Sequence, residues 1–186
     1  MAVDTVWTSP AASGDLDLAT GEIVTEAIWD KVISDLGHLG GTTGSVSTRV
    51  YNDANISIAN NSITALTFNQ ERFDTETLHS TVSSTSRLRC NLAGGHAGKY
   101  AIFGTVTFNA HATGYRGLYI RLNGTTNIAA AFQTALNGQV TAMTISTIYA
   151  LAESDYVELM AYQNSGGALD VLVLANYSPE FGMVKV

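Results

Sequence analysis

At 186 residues, 46% of them hydrophobic, the chain is too apolar for a disordered polypeptide and suits one sandwich-sized domain with an appendage. Its 13% charged residues are about half the usual share of a soluble monomer, so part of the surface is expected to be covered, most simply by copies of the same chain. A net charge of -7 without any Lys/Arg cluster excludes a nucleic-acid groove, and no run approaches the roughly 18 apolar residues of a membrane span.

The opening Met1-Ala2-Val3-Asp4 lacks the basic segment and apolar run of a secretion signal, so synthesis in a cytoplasm without the usual export is expected. Residues 1–21 are small and polar, broken by Pro10 and Gly14, with Trp7, Leu16 and Leu18 as the anchors. Such a lean segment cannot bury enough surface to fold alone and is expected to lie extended, docked on something else. A short α-helix follows. Thr25 suits its N-cap, Glu22 and Glu26 favour its positive start, and Gly37 suits its stop. Trp29, Val32, Leu36 and Leu39 step by three, four and three residues, which makes an apolar stripe. That stripe either packs on the chain's own body or forms a seam between identical chains, because a helix of about a dozen residues is marginal alone. Gly40-Gly41-Thr42-Thr43-Gly44 reads as a flexible joint. Residues 1–44 are therefore one unit and residues 45–186 another.

The second unit reads as short strands. Tyr100, Ile102, Val106 and Phe108 share a face with Gly104 between them. Leu118, Ile120 and Leu122 alternate with Tyr119 and Arg121, and Asn123-Gly124 follows as a hairpin signal. Met143 with Ile145, and Val157 with Leu159 and Ala161, alternate in the same way. Residues 169–174 are apolar on both faces, one for the core and one for a further cover such as a neighbouring subunit. Asn176–Val186 alternates to the last residue, and a terminus of that kind stays ordered only when paired inside a sheet. Gly-rich and polar turns at 93–98, 112–114, 136–138, 152–155 and 164–167 separate these runs. The pattern predicts a mainly β fold, an antiparallel sandwich or jelly roll.

The order of motifs carries a resemblance. Ser86-Arg87-Leu88-Arg89-Cys90, a Gly-rich turn and Gly98-Lys99-Tyr100-Ala101-Ile102-Phe103 resemble a strand, turn and "Gly-x-Tyr" strand of the complement globular-head and tumour-necrosis-factor jelly rolls. Leu118–Gly124 is similar to their strand ending in Asn-Gly, and Leu151–Leu159 to their strand after an acidic turn. Phe181-Gly182-Met183-Val184 resembles their closing "Phe-x-Gly-x-Leu" strand, except that Phe and Gly are adjacent here. The likeness spans roughly residues 50–186 and implies a homotrimer with one sheet face packed round a threefold axis. Trp7 and Thr20–Trp29, followed by a short helix and a Gly-Thr joint, resemble the attachment ends of tailed-bacteriophage virion proteins, as do Ala112–Arg116 and Tyr162–Leu169 their heads.

The residues offer little catalytic chemistry. Cys90 is the single cysteine, which excludes an intrachain disulfide, and it sits in a strand-like run as a small hydrophobe. His38, His79, His96 and His111 show no metal spacing. Asp74, Glu76, Asp155, Glu158 and Asp170 form no recognisable acid–base pair. Gly94–Gly98 lacks the Lys-Ser/Thr and helix of a phosphate cradle. No cofactor, metal or catalytic residue is expected.

What remains is surface. Tyr115, Arg116, Asn137 and Asn164 fall in or beside the loops most suited to touch a partner. The resulting expectation is a structural protein of a phage virion, made in the host cytoplasm. Trp7, Leu16 and Leu18 attach it to capsid or tail proteins. The helix stripe helps to join three copies, and the jelly-roll head is exposed as a capsid decoration or head fibre. The alternative is a tail-fibre tip that binds a host-surface receptor or glycan; a secreted cytokine-like ligand and a glycan depolymerase fit less well.

Overall fold

A computed structural model describes Asp30, residues 46–90 and residues 96–186. The chain divides into two units, Met1–Thr43 and Gly44–Val186. Trp7, Leu16, Leu18, Trp29, Val32, Leu36 and Leu39 lie outside the described residues, and so do the expected arm and helix.

The second unit is an antiparallel jelly-roll sandwich. Its described strands are β1 (Ser47–Tyr51), β2 (Ile56–Ile58), β3 (Thr64–Ala65), β4 (Gln70–Asp74), β5 (Arg87–Arg89) and β6 (Gly98–Phe108). They continue with β7 (Tyr115–Leu122), β8 (Thr126–Thr134), β9 (Thr141–Leu151), β10 (Tyr156–Gln163), β11 (Leu169–Val171) and β12 (Glu180–Lys185). In one sheet β6 pairs with β9 along one edge and with β12 along the other; β1 and β4 extend the sheet beyond β12. Past the end of β12, β11 takes up the same edge of β6 at Phe108 and is itself paired with β2. The second sheet runs β3-β10-β7-β8, with β5 also on β10.

The alternating residues meet between the sheets. Tyr100, Ile102, Val106 and Phe108 of β6, with Phe181 and Met183 of β12, face Leu118 and Ile120 of β7 and Val157, Leu159 and Ala161 of β10. All are fully buried, and each large apolar side chain so placed contributes about 1.5–3 kcal/mol. Gly104 lets the sheets approach: a Cβ there would lie 2.7 Å from Leu159 Cδ2. The buried Tyr100 hydroxyl donates to the His96 carbonyl at 2.7 Å, so its polar tip is satisfied.

The expected turns that fall within the described residues form. Asn123 and Gly124 have φ of 50° and 71°, and Thr125 N–H returns to the Leu122 carbonyl at 3.1 Å, as a type I′ turn requires. Gly114, Asn137, Gly138, Ser154 and Gly166 also have positive φ at the other expected turns. The C-terminal strand is a central strand, held between β1 and β6.

Residues 169–174 depart from the sequence reading. The strand stops at Val171, and the chain then turns. Ser178 Oγ takes the Thr107 N–H at 2.8 Å and donates to the Leu172 carbonyl at 2.8 Å. This hydroxyl occupies a ladder position and diverts Leu172–Leu174 from the strand. The doubly apolar strand is therefore not formed, and the apolar outer surface lies elsewhere.

Candidate contact surfaces

Two sheet faces point away from the core, and their chemistry differs. On the β9-β6-β12-β1-β4 sheet, the registers Val184↔Ala101 and Ala101↔Ile148 put three apolar side chains in one row. The next row runs Phe73, Arg49, Gly182, Phe103, Ser146. The Phe103 ring lies on Gly182, where a Cβ would come within 2.5 Å of its Cζ. Ile148 is 67% exposed, Phe73 47% and Phe103 36%, so this face presents hydrocarbon to its surroundings. Beside it Glu180, almost fully buried, accepts from Arg49 Nε at 2.6 Å and from Arg72 Nε and Nη2 at 3.1 and 2.9 Å. Arg72 also stacks on Tyr51, 3.8 Å from the ring centroid. One carboxylate between two guanidiniums leaves an excess positive charge within the second row, where Arg49 stands between Phe73 and Gly182.

The outer face of the β8-β7-β10 sheet is aromatic. The register Tyr162↔Gly117↔Phe132 sets two rings on either side of a glycine, and Tyr119 follows one pleat on, opposite Met160 and Ala130. Tyr115 stacks on Tyr162 with centroids 5.2 Å apart, and Phe132 meets Tyr119 edge-on at 5.4 Å. Gly117 makes room: a Cβ there would lie 3.1 Å from the Phe132 ring. Tyr162 donates to Asn61 Oδ1 at 2.9 Å. Its phenol is held above the ordinary value, first by a hydrogen bond with Tyr115 and then by burial. A hollow of about 390 Å³ opens beside Tyr115, Phe132, Gln133 and Thr134.

The four residues expected at contact loops separate. Tyr115 begins β7 and is 38% exposed, within the aromatic face. Asn137 is exposed at the tip of its turn. Asn164 fixes the neighbouring loop, its Oδ1 accepting from Tyr115 N–H at 2.6 Å. Arg116 is a correction: it is fully buried, because strand alternation turns it inward with Leu118, and its Nη1 donates to the Thr113 and Tyr115 carbonyls at 3.2 Å. Phe103, Ile148 and Phe132, which dominate the two faces, stood out in no sequence pattern.

Several titratable groups are bound into the fold. His79 Nδ1 lies 2.9 Å from Glu71 Oε1 and its Nε2 lies 3.1 Å from the Thr85 carbonyl. Burial raises the Cys90 thiol above its ordinary value, and burial raises the Tyr100 phenol likewise. Among the described residues, no three of His, Cys, Asp and Glu gather to hold a metal ion.

No family model matches the sequence, and no curated protein matches it. Solved structures match the fold. Murine APRIL at pH 5.0 superimposes with a TM-score of 0.57 at 12% identity, over 75% of this chain and 98% of that one. Eiger TNF from S. frugiperda gives 0.56 at 10% identity, over 76% and 92%. The globular domain of zebrafish complement 1qA protein gives 0.49 at 12%, over 75% and 96%. At these identities the likeness to APRIL and Eiger is one of architecture, a tumour-necrosis-factor-like jelly roll.

Proposed function

We propose that the protein is a homotrimeric jelly-roll head carried on a phage virion by its first 44 residues, with a structural and binding role and no catalysis. The observation that carries self-association is the outer face of the β9-β6-β12-β1-β4 sheet. Val184, Ala101 and Ile148 in one row and Phe103 in the next make a contiguous apolar surface in a chain with only 13% charged residues. Apolar faces of this kind mark interaction sites. Copies related by a threefold axis each present this face, and the low charge of the chain then follows from its being shared. The likeness of fold to other jelly rolls supports the head as the associating part.

The virion role rests on the sequence resemblance of Trp7 and Thr20–Trp29 to phage attachment ends. Three arms on one trimer multiply a weak docking contact into a lasting one. A short appendage of this size fits capsid decoration or a head fibre. Ile148→Asp tests the association: it places a charge on the most exposed apolar residue of the proposed seam, on β9, and, being 67% exposed, leaves the monomer folded. The expected result is a far-UV spectrum like that of the parent with a fall in solution mass to a single chain. An unchanged mass removes this face as the seam. Deleting residues 1–44 is expected to yield a folded head that no longer joins particles, and a head that still joins them removes the arm as the anchor.

A further inference from the structure

The aromatic face opposite the proposed seam has the chemistry of a ligand site. Tyr115 and Tyr119 of β7, Phe132 of β8 and Tyr162 of β10 converge over Gly117. With Gly117 beneath it and 58% of its surface open, the Phe132 ring lies against the sheet. Three phenol hydroxyls stand among the rings, Tyr162's already donating to Asn61, and Thr134, on the same outer parity as Phe132, lies along the hollow beside them. At about 390 Å³ this hollow lies in the lower part of the roughly 300–1,000 Å³ range of small-ligand sites.

We propose that this face binds a neutral saccharide, a pyranose ring stacking on Phe132 and Tyr115 and its hydroxyls bonding to Thr134 and the tyrosine hydroxyls. The faces of aromatic rings are electron-rich, and the axial C–H groups of a pyranose are weakly positive, so the two surfaces attract. Charge selects within this class. None of the groups lining the hollow or the ring cluster is charged, although the chain carries a net charge of -7. The charged side chains on the same sheet face stand further along the strands, at the Arg121↔Glu158 pair: Arg121 donates to Asn127 at 2.9 Å, and Glu158 accepts from Ser86 at 2.7 Å beside Arg87. An uncharged, hydroxyl-rich ligand matches that environment, whereas an acidic sugar would meet no cation among the residues lining the hollow or the ring cluster.

A second copy of the chain is the competing occupant, and the polarity of the face speaks against it. Burying phenol hydroxyls in a dry seam costs free energy unless each finds a partner. On the other sheet the Val184–Ala101–Ile148 row and Phe103 carry no such cost, and the charged groups beside them, Arg49, Arg72 and Glu180, already pair with one another. The saccharide reading concerns the described sheet alone and stands whether the head is one copy or three.

The test uses the full chain on an array of neutral and acidic oligosaccharides, followed by calorimetric titration of the best neutral probe. The expected result is binding to neutral members, weakened at least tenfold in Phe132→Ala and in Tyr115→Ala and restored in Phe132→Trp. Mass and far-UV spectrum of Phe132→Ala are expected to match the parent. Binding to acidic probes alone, to none of the probes, or equally well by Phe132→Ala overturns the proposal. So does a fall in oligomer mass in Phe132→Ala, which would make this face a seam between copies.

Discussion

Gly104 and Leu159 offer a direct test of how the two sheets meet. Gly104 faces the core from β6, and a Cβ there would lie 2.7 and 2.8 Å from the two Leu159 methyls on β10. Carbon atoms pack best at about 3.5–4.0 Å, so the methyls would have to retreat by about 1 Å. Gly104→Ala is therefore expected to cost about 1–3 kcal/mol through overpacking. Leu159 is fully buried, and Leu159→Ala is expected to cost about 2–5 kcal/mol through lost burial and the void left behind. In the double variant the new methyl enters that void, so the clash vanishes and part of the cavity fills. Its cost is expected to fall short of the sum of the single costs by at least about 1 kcal/mol, outside the roughly 0.3–0.5 kcal/mol scatter of independent sites. Urea unfolding at one fixed protein concentration, followed by far-UV circular dichroism, measures all four variants. Additive costs would mean that β6 and β10 do not face each other at this point, and the sandwich packing would be wrong.

Two other predictions concern buried polar groups. The Cys90 thiol and Tyr100 phenol are raised above ordinary values of 9.0 and 10.0, in both cases chiefly by burial. The unfolded chain therefore releases these protons first, so their contribution is full below about pH 9 and is lost as pH rises through the folded-state values. Urea midpoints are expected to fall between about pH 9 and about pH 11 (from the ordinary thiol value to about one unit above the ordinary phenol value) and to fall less in Tyr100→Phe; a flat profile contradicts this. Arg116 is buried with hydrogen bonds to two backbone carbonyls and to no carboxylate among the described residues. Arg116 Nε and Nη2 are buried without a hydrogen-bond partner, so Arg116→Met is expected to leave stability unchanged or to raise it by up to about 4 kcal/mol. A loss above about 3 kcal/mol in denaturant melts would show that the guanidinium has a strong partner.

Much of the head was legible because one buried face per strand leaves a period-two pattern. Tyr100–Phe108, Leu118–Leu122 and Val157–Ala161 were read in that way, and Asn123-Gly124 marked its turn. β8 escaped, because Ile128-Ala129-Ala130-Ala131-Phe132 does not alternate and a register shift opposite Ile120/Arg121 interrupts its pairing. Leu169–Leu174 misled for the opposite reason. Its apolar run continues past the point where Ser178, distant by six residues from Leu172, takes over the hydrogen bonds.

The two contact faces were less visible than the core. Phe103 sits between core residues in sequence, and only the position of Gly182 beneath its ring explains how it lies on the outer face. The adjacency of Phe181 and Gly182 then has a physical sense: Phe181 points inward to stack on Phe68 at 5.8 Å, and Gly182 points outward to receive Phe103. Arg116 was misplaced because its type suggests a surface, whereas strand parity sends it inward beside Gln163 and Leu118. The aromatic cluster draws on β7, β8 and β10, and only the pairing of those strands brings its rings together.

The seam formed by Phe103, Ile148 and Val184 is the central claim, and the mass of the intact chain in solution tests it most directly. Light scattering on the column eluate at micromolar concentration is expected to give three times the 19.7 kDa chain mass. A single species of 19.7 kDa at that concentration would contradict it.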